Sequence, residues 1–259
     1  MADQALHCVV RGSGPDLVVL HPAGLDHSFM GGLAEAASAS HRVISVDLRG
    51  HGASPPANAA TTLATFVQDL HELLATHCQG PARVLGLSFG GMIAQMLALD
   101  HPGDVSALVL RGCAGSFPSE VRPVLRARGT SAMEQGMEAI VAPTIERWFT
   151  PSFIADPQVE RVRNRLRRDQ PSDWSAVWHA IATLDALPRL GGLNVPTAVI
   201  AGERDVATPP AASEALAAAI PGAQFILLTG APHMMQIECP QAFNAAALGF
   251  LSRCGDRLN

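Results

Sequence analysis

Short apolar runs alternate along the chain with stretches whose apolar positions recur every three or four residues. Leu17-Val18-Val19-Leu20 and Val43-Ile44-Ser45-Val46 read as buried strands. Leu63, Phe66, Val67, Leu70 and Leu74 then recur at helical spacing, and Gln79-Gly80-Pro81 stops that helix. A third buried strand is predicted at residues 83–87. A nearly all-apolar helix follows at 91–99, ended by Pro102-Gly103, and a fourth strand lies at 107–110. Strands apolar on both faces, alternating with helices, predict a mostly parallel sheet covered by helices on both sides.

The rhythm breaks between residues 115 and 190. This stretch holds Trp148, Trp174 and Trp178 and an Arg-rich helical pattern, and it offers no convincing strand. The alternation resumes with Thr197-Ala198-Val199-Ile200, a helix at 211–220 and the strand Phe225-Ile226-Leu227-Leu228. A last helix starts at Pro240 and carries Phe243, Ala247, Phe250 and Leu251 on one face. The predicted organisation is one α/β core, residues 1–114 and 191–259, with residues 115–190 inserted as a helical cap.

Composition narrows the chemistry. The 259 residues are 48% hydrophobic and 16% charged, which suits a compact domain with a large core. Lys and Arg total 18 against 23 Asp and Glu, for a net charge of −5. All the cations are Arg, and the chain has neither Lys nor Tyr. Schiff-base catalysis, a phosphate-loop Lys and a Lys or Tyr base are therefore excluded. The acidic balance also argues against a nucleic-acid partner. Five cysteines without a CxxC spacing predict neither a disulfide framework nor a zinc knuckle, and favour a reducing cytoplasm. Met1-Ala2-Asp3-Gln4-Ala5 lacks the basic start of a secretory leader. The apolar runs fall short of the roughly 20 residues that span a bilayer, so no membrane association is expected.

Against this background Gly86-Leu87-Ser88-Phe89-Gly90 stands out. It matches G-x-S-x-G between a predicted strand and a predicted helix. A sharp turn there presents Ser88 above the sheet, and the helix N-terminus favours developing negative charge. A serine hydroxyl needs a base. Of ten His, His233 follows the last predicted strand, in Thr229-Gly230-Ala231-Pro232-His233. His21 and His51 also follow strands but precede the serine. The base needs an acid to fix its tautomer. Asp205 follows the strand at 197–200, with Glu203 as its rival. The order Ser88, Asp205, His233 is one of the known triad orders. Two backbone N–H groups must hold the oxyanion. Phe89 should supply one and Ala23, in His21-Pro22-Ala23-Gly24, the other. Pro22 has no N–H, and Gly24 is the alternative.

These residues together resemble the α/β-hydrolase superfamily, as does Val46-Asp47-Leu48-Arg49-Gly50-His51-Gly52-Ala53-Ser54. Within it the chain is most similar to 3-oxoadipate enol-lactonases. The resemblance rests on Arg147-Trp148-Phe149-Thr150-Pro151-Ser152-Phe153, Asp205-Val206-Ala207-Thr208-Pro209-Pro210 and Glu238-Cys239-Pro240-Gln241-Ala242-Phe243. It implies a hydrolase that needs no cofactor or metal and opens a small anionic lactone or ester in aromatic-compound catabolism, as a monomer or homodimer. A carboxylesterase or carbon–carbon bond hydrolase is the rival activity, and a non-catalytic binding protein a more distant one. Because the chain lacks Lys, a substrate carboxylate would be held by Arg, His or backbone N–H groups; Arg147 beside Trp148 is the candidate, with a salt bridge on the cap surface as its alternative role. The loop at residues 21–24 is poorer in Ser and Asn than in those lactonases, and Phe89 stands where Met is common. The first edge strand of the fold is expected to be short or missing. Arg161, Arg163, Arg165, Arg167 and Arg168 read as a solvated helix face. The three Trp either line a pocket or pack the cap, and Met234-Met235 reads as core or pocket wall.

Overall fold

Strands form where apolar residues run uninterrupted, and their burial explains the pattern. In the computed structural model, which describes residues 5–255, seven strands make one sheet. They are β1 (Cys8–Arg11), β2 (Asp16–Leu20), β3 (Arg42–Val46), β4 (Ala82–Leu87), β5 (Val105–Arg111), β6 (Thr197–Gly202) and β7 (Gln224–Leu228). Residues 1–4, part of the segment read for a leader, lie outside the described residues. The strand order is β1-β3-β2-β4-β5-β6-β7. β1 pairs antiparallel with β3 and every other pairing is parallel. All residues of β4 and β6 are buried, as expected of parallel strands covered on both faces.

Ten helices cover the sheet and its carboxyl edge. They are α1 (Gly31–Ala37), α2 (Leu63–His77), α3 (Phe89–Asp100), α4 (Arg122–Gln135), α5 (Glu138–Trp148), α6 (Pro157–Arg167), α7 (Pro171–Ile181), α8 (Pro210–Ala219), α9 (Met235–Glu238) and α10 (Pro240–Leu251). Strands β2 to β7 feed two cores by their two-residue period. Val18, Leu20, Ile44 and Leu108 join Phe66 and Leu70 of α2 and Ile93 and Leu97 of α3 on one face. Leu17, Val19, Val43 and Val109 join Leu33 of α1 and Phe243 and Leu251 of α10 on the other. Each such fully buried aliphatic contributes roughly 1.5–3 kcal/mol. A capping box fixes where α2 starts: Thr62 Oγ1 accepts from the Thr65 amide while Thr65 Oγ1 accepts from that of Thr62.

The structure refines the sequence reading in two places. The edge strand β1, expected to be short or missing, is present and short, four residues paired in register with β3. Its half-exposed positions carry too little apolar pattern to announce it. The Arg-rich α6 is not simply a solvated face. Arg161, Arg167 and Arg168 are exposed, but the Arg165 side chain is only 13% exposed and bridges Asp26 and Asp169. Arg165 ties α6 to the loop after β2, so this arginine is a structural cross-link.

Between β5 and β6 the chain builds α4 to α7, and an antiparallel bridge between Ser116 and Asp185 closes the excursion at its base. Val159, Val162 and Leu166 face inward from α6, as does Trp174 from α7. A Cβ on Gly24 would lie 2.7 Å from both Leu166 Cδ2 and Trp174 Cζ3. These helices therefore rest directly on the loop that follows β2.

Candidate active site

The turn between β4 and α3 is built by its glycines. Ser88 has φ 50° and ψ −112°, and among the described residues it alone, apart from glycines, has positive φ. Such a backbone costs about 1–3 kcal/mol and persists only where the surroundings enforce it. Here they do. A Cβ on Gly86 would sit 2.5 Å from the Gly90 carbonyl oxygen, and one on Gly90 would sit 2.7 Å from Leu20 Cβ. The Ser88 amide donates to Arg111 O at 2.7 Å, and Ser88 O accepts from the Met92 amide at 3.0 Å. The hydroxyl is thereby set at the N-terminus of α3, half-buried between buried neighbours.

His233 leaves the carboxyl end of β7 on the loop that leads to α9. Its Nε2 lies 3.1 Å from Ser88 Oγ, and its Nδ1 lies 2.7 Å from Asp205 Oδ2. The carboxylate fixes the tautomer: Nδ1–H donates to Asp205 and leaves the Nε2 lone pair facing the hydroxyl. Asp205 is itself held, because Oδ1 accepts from the amides of Ala207 and Thr208 at 2.9 and 2.7 Å. Burial works to raise the Asp205 carboxyl, but His233, Arg111 and the Thr208 amide outweigh it and keep the group below its ordinary value. Burial pushes His233 below its ordinary value against the pull of Asp205, with Arg111 and Arg147 acting in the same direction as burial. Glu203, the rival acid, is exposed and accepts from the Gly230 amide at 2.7 Å, away from the imidazole.

Two histidines that sequence reading set aside fix the loop after β2. His51 Nε2 accepts from the Gly24 amide at 2.9 Å, and His21 Nε2 accepts from the Leu48 amide at 3.0 Å. Their Nδ1–H groups donate to Arg49 O and Pro22 O. The rings meet edge to face at 4.8 Å. Burial holds His21 down at about 4 and His51 well below its ordinary value, so both are neutral acceptors at neutral pH. The Gly24 amide is thus committed. Among the described residues, no group accepts from the amides of Ala23 or Phe89.

The helices of the excursion supply the remaining wall. The Trp148 ring lies 6.4 Å from that of His233, and Trp148 O accepts from the Met234 amide at 2.9 Å. Trp174 is buried and meets the half-buried Trp178 at 5.7 Å. Met234 and Met235 are wholly buried. Arg147 donates through Nη2 to Val206 O at 3.1 Å, while its buried Nε has no partner. Arg128 of α4 lies 4.7 Å over the Trp178 ring. Arg128 and Arg147, with Ser131, Thr144 and Trp174, line a cavity of about 290 Å³. Neither arginine has a carboxylate partner among the described residues. Arg128 was not singled out from sequence, because nothing in its spacing tells which way it points.

Two His–Asp groups have atoms near enough to share a cation: His7, His27 and Asp47, and His71, His101 and Asp104. Neither includes a residue of the Ser88 cluster. In the former, each imidazole Nδ1 bonds one carboxylate oxygen of Asp47, at 2.9 and 2.8 Å. Burial opposes the charge on Asp47, yet the His27 and Ala53 amides and the His27 imidazole hold the carboxyl down at about 2. All five cysteines are free. Among the described residues no helix is long and apolar enough to cross a membrane.

Comparison with known proteins agrees with this architecture. Residues 16–240 match the family model of the alpha/beta hydrolase fold. A pimeloyl-[acyl-carrier protein] methyl ester esterase of Chromobacterium violaceum is 32% identical over 90% of this chain and 92% of its own length. A 3-oxoadipate enol-lactonase of Acinetobacter baylyi is 32% identical over 82% of this chain and 79% of its own. The crystal structure of the enol-lactonase from Burkholderia xenovorans superposes with a TM-score of 0.90 at 29% identity, covering 95% of this chain and 96% of that one. The chain belongs to the α/β-hydrolase family.

Proposed function

We propose that this hydrolase opens a small enol-lactone bearing a free carboxylate, through an acyl-enzyme on Ser88. The observation that carries the reading is the hydrogen-bonded series Ser88–His233–Asp205 set beside two uncommitted amides. Ser88 Oγ attacks the lactone carbonyl while His233 Nε2 takes its proton. Ala23 and Phe89 N–H groups hold the oxyanion that forms. Collapse breaks the ring C–O bond, and the departing enol oxygen takes the proton from His233. The enol stays tethered to the acyl group and ketonises. Water, activated by His233, then releases a 3-oxo acid.

An anionic substrate is supported by the two arginines of the 290 Å³ cavity. Both are half-buried, and a partly desolvated cation without a counterion gains from a ligand carboxylate. The similarity to enol-lactonases points the same way. The similarity to a methyl ester esterase favours a second reading, hydrolysis of a simple carboxylic ester by the same residues. The deciding measurement is kcat/KM on an anionic enol-lactone, on methyl esters and on neutral p-nitrophenyl esters. A preference for the anionic lactone is expected, and a preference for either ester would overturn the lactone reading. Labelling of Ser88 by a fluorophosphonate, lost in Ser88→Ala, tests the nucleophile independently of substrate.

A further inference from the structure

Arg111 ends β5 as the largest fully buried side chain of the molecule's described residues. An arginine with no solvent contact needs an explanation, and its bonds do not supply a simple one. Nη2 donates to Gln236 Oε1 at 2.8 Å, whereas Nε and Nη1 have no partner. Burial lowers the guanidinium only to about 10, so it stays charged at neutral pH. The chain thus places in its interior a cation whose nearby opposite charge is Asp205 and two of whose nitrogens lack a hydrogen-bond partner.

Its position shows what that burial maintains. The Arg111 carbonyl accepts the Ser88 amide at 2.7 Å. Its guanidinium holds Gln236, three residues beyond His233. Gly112, next in the chain, lies directly against the other two groups. A Cβ there would sit 3.2 Å from Asp205 Oδ2 and 3.4 Å from His233 Nδ1. Arg111 therefore holds the Ser88 turn by its backbone and the segment after His233 by its side chain, and its neighbour Gly112 packs against Asp205 and His233. The charged groups that face His233 are Asp205, Arg111 and Arg147. Cys113, beside Arg111, is pushed up to about 12 by burial and is neutral.

We propose that Arg111 is a positioning residue for hydrolysis, whose fixed positive charge keeps Asp205 ionised and His233 unprotonated in mildly acidic solution. The inference rests on the serine-hydrolase reading but makes its own claim: the cation beneath the series sets the acid limb of the activity. A cation close to an imidazole disfavours its protonation, and neutral His233 is the form that can act as base.

The test is the pH dependence of fluorophosphonate incorporation at Ser88, and of ester kcat/KM, between pH 5 and 9. Arg111→Met, verified as folded, should move the acid limb upward by about one pH unit, so that at a pH low on the limb labelling falls up to about tenfold relative to the wild type. Arg111→Lys, which restores the charge, should return the limb toward the wild type. Where Arg111→Met does not fold, Arg111→Gln removes the charge but keeps a donor for Gln236. A folded neutral variant with an unshifted limb would overturn the proposal. So would a wild-type His233 imidazole that titrates by NMR at or above 6.5. Failure of the wild type to label at pH 8 would instead sink the hydrolase reading, and the imidazole titrations of wild type and variants would still decide the role of Arg111.

Discussion

The amide of Gly24 donates to His51 Nε2 at 2.9 Å, and this bond decides which amide of the loop after β2 remains free. Gly24 has φ +76° and no room for a Cβ against Leu166 and Trp174. Its conformation turns its N–H toward His51, and the preceding Ala23 amide is left uncommitted. His21 makes the reciprocal bond from the loop to Leu48. Two neutral imidazoles thus fix a donor that neither of them touches.

His51→Leu should free the Gly24 amide and loosen the loop. Turnover should fall about tenfold or more, with a smaller change in KM, because the Ala23 donor acts on charge that develops only in the transition state. The unpaired buried amide should also cost about 1–3 kcal/mol of stability. Steady-state kinetics and urea unfolding of the purified variant check both. Unchanged kcat in a variant of lowered stability would separate the two histidines from the oxyanion site.

Asp205→Asn should cut turnover by about 10⁴-fold while the fold survives, since an amide no longer enforces the Nδ1–H tautomer of His233. Glu203→Gln should be nearly silent, because Glu203 bonds only the Gly230 amide. Parallel kcat determinations on the two variants decide the matter, and the reverse ranking would refute the assignment of Asp205.

Acid should weaken the fold through its buried histidines. His21 is held at about 4 against an ordinary 6.5, and His51 and His233 are also lowered. Between those values the unfolded chain binds more protons, so stability falls as pH drops from about 6.5 toward 4. His21 alone accounts for on the order of 3 kcal/mol once pH is below 4. Asp169 works the other way: burial raises it to about 7, so folding takes up a proton there. Asp173, also raised by burial, acts in the same direction as Asp169, but the three histidines outweigh these two carboxyls, and the urea midpoint should decline between pH 7 and pH 5. His51→Gln should flatten that decline and Asp169→Asn should steepen it. A midpoint independent of pH over this range would contradict the neutral, buried state of the histidines.

Much of this was legible in residue order. Uninterrupted apolar runs located six of the seven strands, because parallel strands buried on both faces carry a signal that no turn or loop imitates. Ser88, Asp205 and His233 each follow a strand at its carboxyl edge, so their convergence follows from the topology. What stayed hidden depends on side-chain direction. Glu203 and Asp205 are two residues apart, and only the bond from Gly230 to Glu203 separates them. The commitment of Gly24 lies in the tautomer of a histidine 27 residues away. Arg111 reads as a polar end to an apolar strand, where a charge ordinarily meets solvent, and its complete burial has no local signature.

The cap arginines give the sharpest test of substrate class. Arg128 and Arg147, both half-buried, line one cavity. Burial, aided by the charge of Arg147, holds Arg128 down at about 10, so Arg128 keeps its charge at neutral pH. Arg147→Ala should reduce kcat/KM for a carboxylate-bearing lactone by about 10–100-fold, the range for a lost charged hydrogen bond. It should leave neutral p-nitrophenyl esters within about threefold, since a charge remote from the carbonyl acts only on a charged group. Arg128→Ala should act in the same direction. If both hold one carboxylate, the double variant should lose less than the product of the single losses, because the second arginine has less to bind once its partner is gone. Equal losses on charged and neutral substrates would make these arginines supports of the cap and would remove the electrostatic case for an anionic lactone.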